Sequence, residues 1–279
     1  VLAIDIGGTK MDAGIVRDDG VIVRRERMAT DAADPWSTLS KLIDRVGWTG
    51  AVAVGVGCGG PMAPHGETVS PLNISGWRGF PLRSTLATHT GLDVHIDNDA
   101  KALALGEGWT GAARGERNFL AMVVSTGVGA GVVVDGRLLD GETGNAGHIG
   151  HVIVEPDGAD CACGGQGCLE AEASGPSIAK WTGRPAAEAD AETVERTGRL
   201  VGRGIASVVN LLDLRLALVG GSVALGMGEP FFRAAQREVD ERCRIEFARG
   251  ARVAPVGLGA DGPLIGAAAV AFTALGVIR

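Results

Sequence analysis

The segment HIGHVIVEPDGADCACGGQGC, His148 to Cys168, gathers two histidines and three of the chain's five cysteines within twenty-one residues. Imidazole nitrogen and thiolate sulfur are the ligands zinc takes in closed, four-coordinate sites. One histidine with Cys161, Cys163 and Cys168 supplies one nitrogen and three sulfurs. With all four positions filled by protein, such a site is structural and folds a glycine-rich loop that has little core of its own. Spacing alone leaves open whether His148 or His151 provides the nitrogen. Redox chemistry is the competing use of the thiols, but Cys161 and Cys163 form C-x-C where dithiol oxidoreductases carry C-x-x-C.

A second set of residues suits phosphate. In DIGGTK a strand ends at Asp5 and the chain turns through Gly7 and Gly8, whose missing side chains let backbone N–H groups approach an anion. Thr9 and Lys10 add a hydroxyl and a positive charge. Alone, GGTK reads as an ordinary hairpin turn. The recurrence of the pattern as STGVG, with Thr126 and Gly127, points to two hairpins that clamp a polyphosphate from both sides. A P-loop is excluded because the dipeptide Gly-Lys never occurs. GVGCGG at 55–60 has the letters of a dinucleotide fingerprint but not its context, because PMAPHGETVSPLNISGW follows where a helix must begin. Gly59 and Gly60 therefore read as a loop at a strand's carboxyl end, where small ligands bind in open α/β sheets. Asn73 and Trp77 lie on the same loop.

The third constellation is DNDA, where the strand LDVHI runs into Asp97, Asn98 and Asp99 just before a helix. A carboxylate there caps the helix, or serves as a general base that takes the proton from a substrate hydroxyl as its oxygen attacks phosphorus. In the second use Asn98 orients the substrate through its amide.

These residues need a frame of short strands and tight turns. VLAIDI, MDAGIVR and VIVRRERM form a β-meander, and FLAMVVS, AGVVVDG and RLL repeat its grammar, with Thr126 falling where Thr9 did. Strand and helix signals then alternate in each half. AVAVGVG, LDVHIDN and DAKALALGEGW follow the first meander; ERTGRLVGRGIASVVNLL, RLALVGG and EPFFRAAQREVDERC follow the second. The expectation is two α/β lobes, residues 1–113 and 114–261, divided in the turn-rich GAARGER, with the zinc loop in the second. The apolar C-terminal helix, 262–279, is expected to return to the first lobe.

Bulk properties narrow the partners. A hydrophobic content of 46% over 279 residues sustains an ordered core, and the 45 glycines sit between periodic segments rather than in a low-complexity tract. A net charge of −7 without a basic run argues against nucleic acid, as does the lack of tyrosine. No apolar run approaches the ~20 residues of a membrane helix, and five cysteines cannot all pair within one chain. Residue 1 already opens a strand, so no leader is expected and the location is read as cytoplasmic.

DIGGTK, NDA, GHIGHVIVEPDGADCACGGQGCLE and LVGGSVA together resemble the ROK family of bacterial sugar kinases and sugar-responsive repressors, within the actin-like, hexokinase-like (ribonuclease H-like) ATPase fold. The resemblance runs through nearly the whole chain, and its H…C-x-C-G-x-x-G-C-L-E segment is its most specific part. It implies that Asp99 is the catalytic base and that Asn98, His151 and Glu170 contact sugar hydroxyls. It also implies that His151 is the nitrogen ligand of zinc beside Cys161, Cys163 and Cys168. Gly8, Thr9, Thr126 and Gly127 would face the ATP phosphates, Asp5 would lie near magnesium, and Gly220 and Gly221 would border the adenosine. Homodimers are usual in such kinases. The chain departs from the glucokinase pattern G-E-x-G-H by carrying His148 at the glutamate position, where it is expected to face the sugar. The resulting expectation is an ATP-dependent kinase acting on the 6-hydroxyl of a hexose or N-acetylhexosamine, glucose or N-acetylmannosamine first. The alternatives are a sugar-sensing regulator, which would need a helix-turn-helix ahead of the first strand, and a non-catalytic sugar-binding protein, which would be expected to have lost Asp99, Thr9 or Thr126.

Overall fold

The computed structural model describes residues 1–278. The chain opens with β1 (Leu2–Ile6), β2 (Lys10–Val16) and β3 (Ile22–Ala29), followed by α1 (Pro35–Val46), β4 (Val54–Cys58) and α2 (Leu82–Thr90). Next come β5 (Val94–Asn98), α3 (Asp99–Trp109), β6 (Phe119–Val124), β7 (Val128–Val134) and the two-residue β8 (Arg137–Leu138). The helices α4 (Leu169–Ala173), α5 (Gly175–Thr182) and α6 (Ala191–Leu212) precede β9 (Leu216–Gly220) and α7 (Ser222–Arg242). The chain closes with β10 (Arg252–Pro255) and α8 (Gly262–Ala274).

The strands form two five-stranded mixed sheets, ordered β3-β2-β1-β4-β5 and β10-β9-β6-β7-β8. Read from its meander strand, each has the same order. In both, the first strand pairs antiparallel with the second and parallel with the fourth. The chain divides into two compact units. The first comprises residues 1–114, 138–146 and 257–279, and the second comprises 115–137 and 147–256. Residues 138–146 lie in sequence between second-unit segments yet pack with the first.

Alternation in β1 builds the first unit's two faces. Leu2, Ile4 and Ile6 enter one core cluster with Leu39, Leu42 and Ile43 of α1, whereas Val1 and Ala3 enter another with Leu264, Ala268 and Phe272 of α8. The apolar stripe of α1 starts from a built terminus, since Asp34 accepts the Ser37 N–H at 3.0 Å and Pro35 occupies the first turn. α8 packs on α3, β1 and β4. A glycine makes this approach possible: a Cβ on Gly55 would stand 2.1 Å from the Ala267 carbonyl oxygen. Near the end of α3, Glu107 is fully buried and accepts N–H bonds from Ala112 (2.8 Å), Gly257 (3.0 Å) and Leu258 (3.0 Å). One carboxylate thus ties the first-unit side of two of the places where the chain passes between units.

In the second unit, Asp190 caps α6 by accepting from Thr193 at 2.9 Å, and α6 lies along α7, whose helical course is interrupted at Gly228. Among the described residues, no helix is long and apolar enough to cross a membrane.

Candidate functional site

In the first unit the candidate residues gather at the carboxyl ends of β1, β4 and β5. Asp5 is in register with Asp12 on one side and Gly57 on the other, and Gly57 is in register with Asp97. Gly57 has no side chain to fill the gap. A Cβ there would lie 3.7 Å from Asp5 Oδ1 and 3.7 Å from the Asp99 Cα, so the two carboxylate residues flank an open strand position. Burial, then the nearby charge of Asp99 and next that of Asp12, pushes the Asp5 carboxyl up to about 7. A concentration of carboxylates that resists full ionisation suits a cation or a transferable proton.

The hairpin after β1 closes with Gly7 donating to the Lys10 carbonyl at 3.1 Å, and Thr9 and Lys10 are exposed at its tip. Gly8 has a specific packing reason. Its Cβ would fall 2.5 Å from the Asn73 Cβ, so only glycine lets the hairpin rest against the 59–81 loop. Asn73 itself is exposed. On the same loop Gly59 and Gly60 are half-buried, and Trp77 is 2% exposed and stacked on Phe80. Trp77 therefore supports the loop from the core.

The DNDA turn combines both uses read from its sequence. Asn98 is the N-cap of α3, its Oδ1 accepting the Ala100 N–H at 3.0 Å, and Asp99 Oδ1 accepts the same N–H at 2.9 Å. Asp97 Oδ1 accepts the Asn98 N–H at 2.7 Å. The turn is thereby fixed at three successive residues, with Asp99 in the first helical turn, where the helix dipole favours its anion.

In the second unit the β6–β7 hairpin closes with Ser125 donating to the Gly127 carbonyl at 2.9 Å, which leaves Thr126 exposed. Glu170, in α4, accepts the Val128 N–H at 2.8 Å, and a Cβ on Gly127 would meet its Oε2 at 2.9 Å. Gly220 ends β9 and Gly221, at φ 94°, starts α7; a Cβ on Gly221 would lie 2.3 Å from the Val124 carbonyl oxygen. The amino end of α7 is thus held against the end of β6, and Ser222 Oγ lies 2.9 Å from Ser125 Oγ. Thr126, Gly127, Gly221 and Glu170 share one region of this unit. The two serines escaped the sequence reading, although Ser125 and Ser222 directly adjoin its glycine motifs.

The spacing of GHIGH has a steric cause. Cβ atoms on Gly147 and Gly150 would collide with the Ala130 and Val128 carbonyl oxygens at 2.0 and 2.3 Å, so these glycines lay the segment along β7. His148 and His151 are exposed, with ring centroids 6.0 Å apart. Only His151 joins the cysteines: its nitrogen and the sulfurs of Cys161, Cys163 and Cys168 all lie within 4.8 Å of one another. Cys161 Sγ is 3.7 Å from His151 Nδ1, and Cys163 Sγ is 3.7 Å from Cys168 Sγ. Tetrahedral zinc with bonds of about 2.3 Å to sulfur sets ligand atoms roughly 3.6–3.8 Å apart, so the donor set fits. Burial and the adjacent thiols push Cys168 up to about 12, a proton a divalent cation would displace. Bonds from Cys161 N–H to the Gly165 carbonyl and from Gly167 N–H to the Ala159 carbonyl, 2.8 and 2.9 Å, hold the loop.

Lys101 and Asp140 were also absent from the sequence reading. Lys101 is the largest fully buried side chain at 2% exposure, with its Nζ on Asp97 and Asp140. Its signal was a lysine among small apolar residues in a helix's first turn, where the dipole disfavours a cation.

Two mixed sheets of like order, each with a glycine-threonine hairpin at its first turn, define an α/β protein of the actin-like ATPase class. The ROK family model matches residues 1–274, and the chain belongs to the ROK family. It is 38% identical over 246 residues to an N-acetylmannosamine kinase of Citrobacter koseri, covering 81% of this chain and 84% of that one. Among solved structures it is similar to a ROK hexokinase from Thermus thermophilus, with 32% identity, 99% of each chain covered and a TM-score of 0.86. A ROK glucokinase from Streptomyces griseus in complex with glucose and AMPPNP has 30% identity and a TM-score of 0.83, with 96% of this chain and 97% of that one covered.

Proposed function

We propose that this ROK protein is an ATP-dependent sugar kinase that transfers the γ-phosphoryl group to the 6-hydroxyl of a hexose or N-acetylhexosamine. The observation that carries the reading is Asp99, fixed at the end of β5 and the start of α3 beside Asp5 and the Gly7–Gly8–Thr9 hairpin. Kinship with sugar kinases over nearly the full chain supports it.

Asp99 takes the proton of the sugar 6-hydroxyl as that oxygen attacks the γ-phosphorus, and the bond to the bridging oxygen breaks to release ADP. Asn98, Asn73 and the Gly59–Gly60 loop in the first unit, with His148, His151 and Glu170 in the second, orient the sugar. Backbone amides and hydroxyls of Gly7, Gly8, Thr9, Thr126 and Gly127, with Lys10, bind the phosphates, and Gly220 and Gly221 border the adenosine. Magnesium held near Asp5 would neutralise charge on the phosphates. His151, Cys161, Cys163 and Cys168 hold a structural zinc, which leaves no open position for chemistry. A homodimer is the expected assembly, to be checked by light scattering.

His148 favours a sugar that presents an acceptor, such as an N-acetyl carbonyl, because an imidazole donates a hydrogen bond where glutamate only accepts. A coupled assay of ADP release across glucose, mannose, N-acetylglucosamine and N-acetylmannosamine tests the reading. Sugar-dependent ADP release with at least one of them is expected; release with none would overturn the assignment.

A further inference from the structure

Lys101 is the third residue of α3, within the turn where a helix's unpaired N–H groups repel a cation, and only 2% of it is exposed. Burying an ammonium there is costly unless it is fully paired. Its Nζ lies 2.9 Å from Asp97 Oδ1 and 2.7 Å from Asp140 Oδ1, and donates to the Gly144 carbonyl at 3.2 Å. Asp97 in turn accepts the Asn98 N–H at 2.7 Å. A continuous chain of charge-assisted bonds therefore runs from Asp140 through Lys101 and Asp97 to the backbone that carries Asn98 and Asp99.

Asp140 and Gly144 belong to residues 138–146, the segment that leaves the second unit's sequence to pack with the first. The segment closes on itself through the Ala146 N–H to the Asp140 carbonyl, 2.9 Å, and is anchored again by Asn145 Nδ2 on the Met62 carbonyl, 3.3 Å. Met62 follows Gly59 and Gly60 by two residues, and His148 follows Ala146 by two. The segment therefore joins the DNDA turn, the Gly59–Gly60 loop and the GHIGH segment. Apart from the helix dipole, which opposes it, Lys101 has no evident reason to sit at this position except to hold these pieces together.

We infer that Lys101 is a positioning residue for the sugar: its ammonium docks residues 138–146 onto the Asp97–Asp99 turn, so that the sugar loops and the base keep one arrangement. This rests on the sugar kinase reading above. The kinetic signature is selective, because phosphate contacts on the hairpins do not pass through Lys101.

The test compares Lys101→Met, Asp140→Asn and the double variant Asp97→Asn/Lys101→Met with the wild type by steady-state kinetics, sugar calorimetry without ATP, thermal melting and hydrogen exchange of peptides covering 138–146. Lys101→Met should raise the sugar KM and Kd about tenfold, leave the ATP KM within about twofold and speed exchange at Ala146. It should also melt earlier, because Asp97 is left buried beside no cation. The double variant removes both charges and should recover the melting temperature while the sugar Kd stays raised. Asp140→Asn, altering a side chain 71% exposed, should move the sugar Kd in the same direction by less. A double variant with wild-type sugar affinity, or equal changes in both substrates' KM, would overturn the inference and leave Lys101 as mere neutralisation of Asp97. A wild type that binds sugar without phosphorylating it overturns the kinase reading alone, and Kd then decides this one; a wild type that binds no sugar overturns both.

Discussion

The two sheets share an order and a hairpin but not a chemistry. β1 and β2 carry Asp5 and Asp12 opposite each other, and β5 ends in Asp97 and Asn98, whereas β6 and β7 contain no ionisable residue and β10 ends without a carboxylate. The second unit instead places its polar groups outside the sheet, on the segment from His148 to Glu170 that precedes its fourth strand. One frame thus supports proton chemistry at strand ends in one half, and a ligand-stapled loop in the other. Strand ends are rigid because the ladder fixes them; the loop from 151 to 168 has few apolar anchors and relies on its cross-links.

The sharpest way to break this comparison is to remove the staple. Cys163→Ala should lose the metal, about one zinc per chain by elemental analysis, and with it the loop, since structural zinc is worth roughly 10–16 kcal/mol in small domains. The first unit should keep its fold, read as unchanged exchange protection in β1 and β4. A metal-free protein with a protected 151–168 loop would show that the cysteines serve another purpose.

Next in size is Glu107, whose carboxylate accepts three buried N–H bonds. Glu107→Ala should cost about 3 kcal/mol or more and lower the Tm by roughly 6–12 °C, with Glu107→Gln in between. A melting point within a degree of wild type would mean that water replaces the carboxylate.

The carboxylate floor makes a pH prediction with no counterpart in the other half. Asp5 is raised to about 7 when folded, so below its ordinary value near 4 both states are protonated and its contribution is intact. As pH rises towards 7 the unfolded chain releases the proton first, stability falls, and the loss is complete above pH 7. Asp5→Asn removes this slope, so its Tm relative to wild type should climb between pH 4 and 7 and then level. A constant difference would place the proton elsewhere.

The smallest effect is expected at His148. His148→Glu should shift the ratio of kcat/KM values from N-acetylmannosamine towards glucose about fivefold, the worth of one hydrogen bond near 1 kcal/mol, with zinc content unchanged. An unchanged ratio would leave specificity to residues 59–77.

Local patterns carried the frame into view early. Period-two alternation and glycine punctuation gave the meanders, and the Asp97–Asn98–Asp99 run before an apolar helix marked both a cap and a base. Long-range pairings were less visible. Nothing in a linear sequence says that Lys101 reaches Asp140, or that Gly8 must be glycine because Asn73 lies against it. Those contacts arise from loops whose paths are set by packing, not by local preference. α1 was also unread, although Asp34–Pro35 opens it and Leu39, Leu42, Ile43 and Val46 mark its buried face, because the preceding strand drew the pattern. Residues 138–146 were assigned by order along the chain, and the contact that moves them to the first unit is an ion pair.

The central claim is that proton transfer belongs to the first unit's strand ends, and Asp99→Asn tests it most directly. ADP release and sugar binding should be measured on the same preparation, alongside the melting temperature. The account expects turnover to fall by roughly two to four orders of magnitude with sugar Kd and fold retained. Turnover within about tenfold of wild type, in a folded variant that still binds sugar, would contradict it.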